Sequence, residues 1–315
     1  MKTALVTGGA GFIGSHLAAR LLADGFAVTV LDNFATGRRE AVPAEATVVE
    51  GDVGDRALVD ELCADEHFSV VFHTAGQASI RLSFERPEMD LGTNVVGTVN
   101  VVRACLETGV GRLVNAGSMT VYGEPATVPT PEGAACVPVS YYGVTKYAAE
   151  RYVHIAGAVP GSVTAVTSLR MFNVYGPGQS TSNPYQGVLA IFIGNVLRGE
   201  PITIHGDGAQ TRDFVYIDDV VAAWMRVLDD ASTSGKVLNV GSGRETSVNE
   251  LADAVLAAFG HSRATWEVRV QPAQLGDQRR AAADTRALAA LGWTATTTLA
   301  GGMARTVEWA RVDAG

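Results

Sequence analysis

Short, continuously apolar runs alternate with longer amphipathic stretches through the first half of the chain. The runs ALVTG, AVTVLD, TVVEGD, SVVFHTA, RLVNAGS and VTSLRMFN are rich in Val, Leu and Ile and predict strands. Between them the pattern predicts helices near 12–24, 55–66, 88–108 and 142–156. Apolar strands separated by helices predict an α/β fold, a doubly wound parallel sheet covered on both faces with right-handed crossovers. After about Gly176 the rhythm changes. GPGQSTSNPYQG (176–187) reads as a loop, and beyond it strands are short and helices scattered. The expectation is a first domain over 1–175 and a smaller mixed α/β C-terminal domain over 176–315. A segment of about 214–242, ending in KVLNVGS (236–242), is expected to pack back on the first sheet.

Composition narrows the function. The 315 residues suffice for one large domain or two, and 47% apolar, 18% charged and 35 glycines describe a folded globular chain with many tight turns. A net charge of −9 argues against general binding to nucleic acid or an anionic membrane. Cys63, Cys105 and Cys136 are scattered and odd in number, which predicts neither a disulfide framework nor a Cys-based zinc site. A reducing cytoplasm fits. The N-terminus runs directly into a strand-like TALVTGG without the pattern of a signal peptide. VLAIFIGNVL (188–197) is shorter than the ~20 residues needed to span a bilayer.

VTGGAGFIGSHLAARLL places Gly8, Gly11 and Gly14 at a strand-to-helix turn. Gly8 permits the tight turn, Gly11 lets a pyrophosphate approach the backbone, and Gly14 lets the helix pack closely on the sheet. The helix N-terminus adds free N–H groups and the positive end of its dipole. Asp32 ends the next strand, where a carboxylate can accept from both hydroxyls of an adenosine ribose and repel a 2′-phosphate. The expectation is a Rossmann-type domain binding NAD. Arg38 and Arg39 nearby either meet the 2′-phosphate of NADP or are solvated loop charges. Asp52, in EGDV, either reaches the adenine amino group or simply ends its strand.

Tyr142 and Lys146 lie four apart on a predicted helix, hence on one face. A free tyrosine, with a pKa of ~10, is a poor base at neutral pH. A neighbouring ammonium is expected to lower that value. Tyr142 could then take a proton from a sugar hydroxyl while a nicotinamide takes hydride from the carbon beneath. Ser118 ends its strand on the side where ligands of open parallel sheets bind, and could bridge Tyr142 and substrate.

With these residues in order, the chain resembles the extended short-chain dehydrogenase/reductase family, in its nucleotide-sugar epimerase/dehydratase branch, nearest to its UDP-hexose 4-epimerases. TGGAGFIGSHL, LDN, GDV, HTAG, NVVGT, SMTVYG, YYGVTK, LRMFNVYGPGQ, GDGAQTRDFVYIDDVV, LNVGSG and ADTRALAALGW all fall in family order. The resemblance implies NAD at Gly8, Gly11, Phe12, Ile13, Gly14, Asp32, Asn33, Asp52, Val53 and Asn94, and a catalytic set of Ser118, Tyr142 and Lys146. Tyr142 and Lys146 also meet the cofactor, the lysine at its ribose. Asn94 is either close to the nicotinamide or a structural polar group inside a helix. No metal is implied.

Members of this branch oxidise carbon 4 of a nucleotide sugar and then diverge. Dehydratases carry a carboxyl just before V-Y-G; here Met119 and Thr120 stand there. A thioether transfers no proton and a hydroxyl is too weak an acid, so elimination lacks its catalyst. Epimerisation needs no such group. The expected activity is therefore a 4-epimerase of a UDP-glucose/UDP-galactose or UDP-N-acetylhexosamine pair. A 4,6-dehydratase or 4-ketoreductase is the alternative, and a non-catalytic dinucleotide sensor a third.

For the substrate the resemblance implies Ser79, Ser118, Thr120, Asn173, Val188, Thr203, His205, Arg212 and Arg279. Arg212 and Arg279 match arginines that grip the diphosphate through bidentate, charge-assisted bonds. Asn173 matches a donor to phosphate or sugar, SNPYQGVLAIF a backbone lining the nucleotide, and Thr203 and His205 positions beside the base. Ala282 matches a position where a small residue leaves room at the sugar's carbon 2. Arg81 either meets a uronic carboxylate or supports the structure. Many relatives have a hydroxyl residue before Ser118, where this chain has Gly117. The aliphatic faces of 88–108 and 142–156 resemble those that pair in homodimers of relatives.

Overall fold

The computed structural model describes residues 2–183, 187–273 and 278–313. The chain divides into two compact units. One comprises Met1–Val121, Ser140–Arg170 and Val221–Leu238; the other comprises Tyr122–Val139, Met171–Val220 and Asn239–Gly315.

In the first unit the elements run β1 (Thr3–Thr7), α1 (Phe12–Ala23), β2 (Ala27–Asp32), β3 (Thr47–Glu50), α2 (Arg56–Glu66) and β4 (Val70–His73). There follow α3 (Ile80–Glu85), α4 (Pro87–Leu91), α5 (Gly97–Thr108), β5 (Arg112–Ser118), α6 (Tyr141–Gly157) and β6 (Ala165–Met171). Each apolar run read as a strand holds one. The sheet order is β3-β2-β1-β4-β5-β6, and the strand Lys236–Val240 adds a seventh beyond β6. β3, β2, β1, β4 and β5 pair in parallel.

Both sheet faces are covered, which is why the central strands lack polar alternation. Period-two geometry sends Leu5, Leu31, Val71 and Leu113 to one face, where they meet Val59 and Leu62 of α2, Val101 and Cys105 of α5 and Val153 of α6. On the strand positions between them, Phe72 packs against Trp224 with ring centroids 6.0 Å apart. The expected helix over 88–108 is not uniform: α4 and α5 are joined by a π-helical turn, Gly92–Val96, which carries the buried Asn94. One extra residue in the turn rotates α5 relative to α4, a device that recurs at functional sites.

The second unit is built from two-stranded pairs. Ile202–His205 runs parallel to Val268–Gln271, Phe214–Tyr216 parallel to Asn173–Tyr175, and Thr211–Arg212 antiparallel to Thr246–Ser247. Helices Val188–Leu197, Val248–Ala258 and Leu299–Asp313 accompany them. Asp213, wholly buried, ties two loops together: its carboxylate accepts from the backbone N–H of Ser242, Gly243 and Ala283 at 2.7–2.9 Å, and from the Ser242 hydroxyl.

Candidate active site

At the carboxyl end of β1 the backbone turns at Gly8, whose φ of +71° favours glycine. A Cβ there would also lie 2.7 Å from Ala75 backbone atoms. At Gly14 a Cβ would lie 2.2 Å from the Gly8 carbonyl oxygen, so only glycine lets α1 seat this closely. Gly11 is the N-cap of α1, in extended conformation and with no side-chain cap, so the first-turn N–H groups point out unclaimed by any side chain. Phe12 and Ile13 are half-buried in that turn.

The buried Asp32 carboxylate ends β2, accepting from the Ala10 N–H at 2.9 Å and the Phe34 N–H at 2.8 Å. Asn33 is exposed and donates to Asp52 Oδ2 at 2.6 Å, while Asp52 Oδ1 accepts from the Gly54 N–H; Val53 is buried. Arg39 pairs with Glu50 and stacks on Phe34 at 4.3 Å, which accounts for it as a loop charge. Open helix N–H groups, a glycine-tight turn and a fixed acid at the next strand end fit the pyrophosphate and ribose of a dinucleotide.

The same unit assembles the proton machinery. Ser118, Met119 and Thr120 are all buried, and the Ser118 and Thr120 hydroxyls lie 2.9 Å apart. Ser140 caps α6 by accepting from the Gly143 N–H at 3.1 Å, which starts the helix just before Tyr142. The expected lowering of the Tyr142 phenol is corrected. Burial, helped by the Asp90 carboxylate, pushes it up to about 12 against a hydrogen bond from Ser118. Lys146 moves the other way, to about 8, because burial disfavours the ammonium more than Asp90 and Glu150 support it. Its Nζ donates to no protein acceptor among the described residues, which leaves it able to meet a ribose.

Asn94 does not project a free amide. Its Oδ1 accepts from the Gln77 N–H at 2.9 Å, and its Nδ2 donates to Gln77 O, Asp90 Oδ1 and Thr145 Oγ1 at 3.1–3.2 Å. It fixes the loop after β4, where a Cβ on Gly76 would come within 3.8 Å of Lys146 Nζ. Ser79 is the N-cap of α3, accepting from the Leu82 N–H, and Arg81 pairs with Glu85 one turn on. At Gly117 a Cβ would lie 3.0 Å from Leu169 O and 3.2 Å from the Arg170 side chain. A hydroxyl residue there would crowd the bidentate pair of Arg170 and Glu150, at 2.8 and 2.6 Å.

Four contributors escaped the sequence reading. Asp90 precedes Asn94 by four residues and Thr145 adjoins Lys146, so helical spacing was the available signal. Glu150, four beyond Lys146, carried the same one. His73 sits between the Thr7 and Thr98 hydroxyls, 2.7 Å from Nδ1 and 2.9 Å from Nε2. Thr98 spends its own proton on Asn94 O, so His73 is neutral and carries its hydrogen on Nε2. Burial lowers it to about 3.

In the second unit Arg212 is buried, its Nη1 donating to Thr211 O and Gln278 O at 2.7 Å each. Arg279 is exposed and forms a bidentate pair with Asp207 at 2.8 and 3.0 Å, holding that carboxyl down to about 2. Arg280 pairs in the same way with Glu245. Asn173 Oδ1 is buried without a hydrogen-bond partner among the described residues, the mark of a group awaiting one. Thr203 and His205 share the less buried face of their strand, with Ile202 and Ile204 buried on the other. Val188 opens its helix half-buried; residues 184–186 of SNPYQG and 276–277 before Arg279 lie outside the described residues. Ala282 is buried.

Fold and first unit together describe a dinucleotide-dependent α/β protein with a half-buried tyrosine and a buried lysine on one helix. Residues 4–241 match the NAD dependent epimerase/dehydratase family, and the chain belongs to it. It uses NAD. The UDP-glucose 4-epimerase of Mycolicibacterium smegmatis is 41% identical over 318 residues, 99% of each chain. Among solved structures, the UDP-glucose 4-epimerase of Thermotoga maritima with UDP-glucose superposes with a TM-score of 0.94 at 35% identity, covering 99% of this chain and 100% of that one. The Thermus thermophilus UDP-glucose 4-epimerase with NAD gives 0.91 at 37%, covering 98% and 99%.

Proposed function

We propose that this protein is an NAD-dependent 4-epimerase that interconverts UDP-glucose and UDP-galactose. One observation carries the reading: the Ser118 hydroxyl pairs with that of Thr120 and with the Tyr142 phenol, and no carboxyl is hydrogen-bonded to any of the three among the described residues. Asp90, whose charge Tyr142 feels, is wholly buried and spends both oxygens on Gln77, Asn94 and Thr145. Nothing in this cluster can drive water from carbon 6.

NAD, when bound, supplies the hydride acceptor for carbon 4 and a positive charge that favours a phenolate. Tyr142 takes the 4-hydroxyl proton and returns it once the sugar has turned, with Ser118 holding the oxygen between them. Lys146, as ammonium, lowers the cost of the phenolate. Gly8, Gly11, Phe12, Ile13, Gly14, Asp32, Asn33, Asp52 and Val53 are assigned to the dinucleotide in the first unit. In the second, Asn173, Val188, Thr203, His205, Arg212 and Arg279 are assigned to the nucleotide and diphosphate. Arg279 would exchange Asp207 for phosphate, a swap between two anions that costs little at an exposed site.

Exposed Leu91, Val96, Val144, Tyr152 and Ile155 on α4, the π turn and α6 support a homodimer through these helices. Free cysteines support a reducing, cytoplasmic setting. The test offers the purified protein a panel of UDP-hexoses and UDP-N-acetylhexosamines without added cofactor. Equilibration of gluco and galacto forms supports the proposal; release of a 4-keto-6-deoxy sugar overturns it.

A further inference from the structure

Two carboxylates bear on Lys146 from within the first unit, Glu150 and Asp90. Glu150 is already matched: both its oxygens bind the Arg170 guanidinium, and both side chains are buried. Asp90 is different. It is wholly buried, and its hydrogen-bond partners are neutral: Gln77 Nε2 at 2.7 Å and Asn94 Nδ2 at 3.1 Å on Oδ1, Thr145 Oγ1 at 2.6 Å on Oδ2. His73, the other titratable group near Lys146, is held neutral by Thr7 and Thr98 and balances no charge. Tyr142, on the same helix face, is pushed up by burial and becomes a second anion beside Lys146 only where bound NAD favours its phenolate.

An amide could replace Asp90 without the several kcal/mol that an isolated buried carboxylate costs. A charge kept under such a penalty needs a cation, and Lys146 is the cation whose titration Asp90 shifts. Thr145 and Asn94 transmit the geometry. Thr145 precedes Lys146 on α6, and Asn94 ties Asp90 to the Gln77 backbone.

We infer that Asp90 is a positioning residue for this reaction, the buried counter-charge that keeps Lys146 an ammonium and, through Thr145 and Asn94, fixes the helix turn and loop beside it. The inference rests on the proposed epimerase chemistry only in giving that ammonium its task. Asp90 touches neither sugar nor cofactor in this scheme.

The chain has three lysines, Lys2, Lys146 and Lys236, and the first and last are exposed. Lysine labelled with 13C at Cε therefore gives three signals to titrate by NMR, in the purified holoenzyme. In Asp90→Asn the Lys146 midpoint should fall by about one pH unit, as expected on losing an opposite charge. Lys2 and Lys236 should not move, and the alkaline limb of kcat/KM should follow Lys146. An unmoved Lys146 midpoint in folded D90N overturns the inference, whatever reaction the enzyme catalyses. Should D90N not fold, the wild-type protein decides. Its Lys146 signal should show a second, smaller step in acid, above the ordinary aspartate range, as Asp90 takes up its proton. Absence of that step also overturns the inference. Failure of UDP-hexose conversion with both NMR results intact would instead remove the proposed function.

Discussion

Gly14→Ala and Gly11→Ala separate what the glycine turn does for the fold from what it does for the cofactor. The new methyl at 14 would lie 2.2 Å from Gly8 O and 2.8 Å from Gly8 C and Gly9 Cα, all backbone. Favourable contact begins near 3.5 Å, so α1 must retreat by about 1 Å. A clash this short with backbone lies in the upper half, about 2–3 kcal/mol, of the cost of forced overpacking, and the helix propensity of alanine returns about 1 kcal/mol. The net loss is about 1–2 kcal/mol. At roughly 2–4 °C per kcal/mol for a large domain, Tm should fall by roughly 2–8 °C, and NAD should be lost with the displaced helix start. At Gly11 a methyl meets only Gly8 O at 3.2 Å, and φ is −79°, which alanine adopts freely. Gly11→Ala should therefore melt within about 2 °C of wild type stripped of NAD while losing bound NAD, because its methyl stands where the pyrophosphate must approach. The assay is NAD released per mole of purified protein after heat denaturation, beside a melting curve. A Gly11→Ala protein with a full complement of NAD would refute the placement of the pyrophosphate. A Gly14→Ala protein that melts like wild type would refute the packing argument.

Other outcomes are expected from the cluster around Tyr142. Tyr142→Phe should lower kcat by about 10²–10⁴ and leave the bound NAD in place, measured by coupled assay and NAD release. kcat/KM should decline as pH rises through about 8, where Lys146 loses its proton; a flat profile to pH 10 would contradict the ammonium's role. The same depressed value predicts a stability effect of definite sign. Between about 8 and the ordinary lysine value the unfolded chain binds more protons, so the burden of burying the ammonium is greatest below pH 8 and is relieved as pH rises. Lys146→Met should thus be more stable than wild type at pH 7, by urea melts, with the gap closing toward pH 10. Glu150→Gln removes the carboxylate that the buried Arg170 guanidinium binds through two nitrogens and should lower stability, with Arg170→Met partly restoring the loss in the double variant.

Elements set by periodicity were legible: the apolar runs fixed β1 to β6, and the Gly8–Gly14 spacing with Asp32 located the turn and the acid that close it. Residues whose roles depend on who faces whom were not. A pair four apart announced that Tyr142 and Lys146 share a helix face, but not that burial would raise the phenol. Asp90 has no local pattern to mark it beyond its spacing to Asn94; only the π turn and the fold bring Gln77 and Thr145 to it. Gly117 read as a missing hydroxyl, whereas its neighbours Leu169 and Arg170 leave little room for any side chain. Arg279 was identified as a phosphate ligand; its present partner, Asp207, lies 72 residues away and no local pattern names it.

In the proposed reaction carbon 4 is oxidised and reduced again with nothing removed from carbons 5 and 6. UDP-glucose deuterated at carbon 4, incubated in light water with the enzyme and no added cofactor, tests it directly. A 4-epimerase yields UDP-galactose with deuterium still at carbon 4. Deuterium recovered at carbon 6 of a 4-keto-6-deoxy sugar would contradict it.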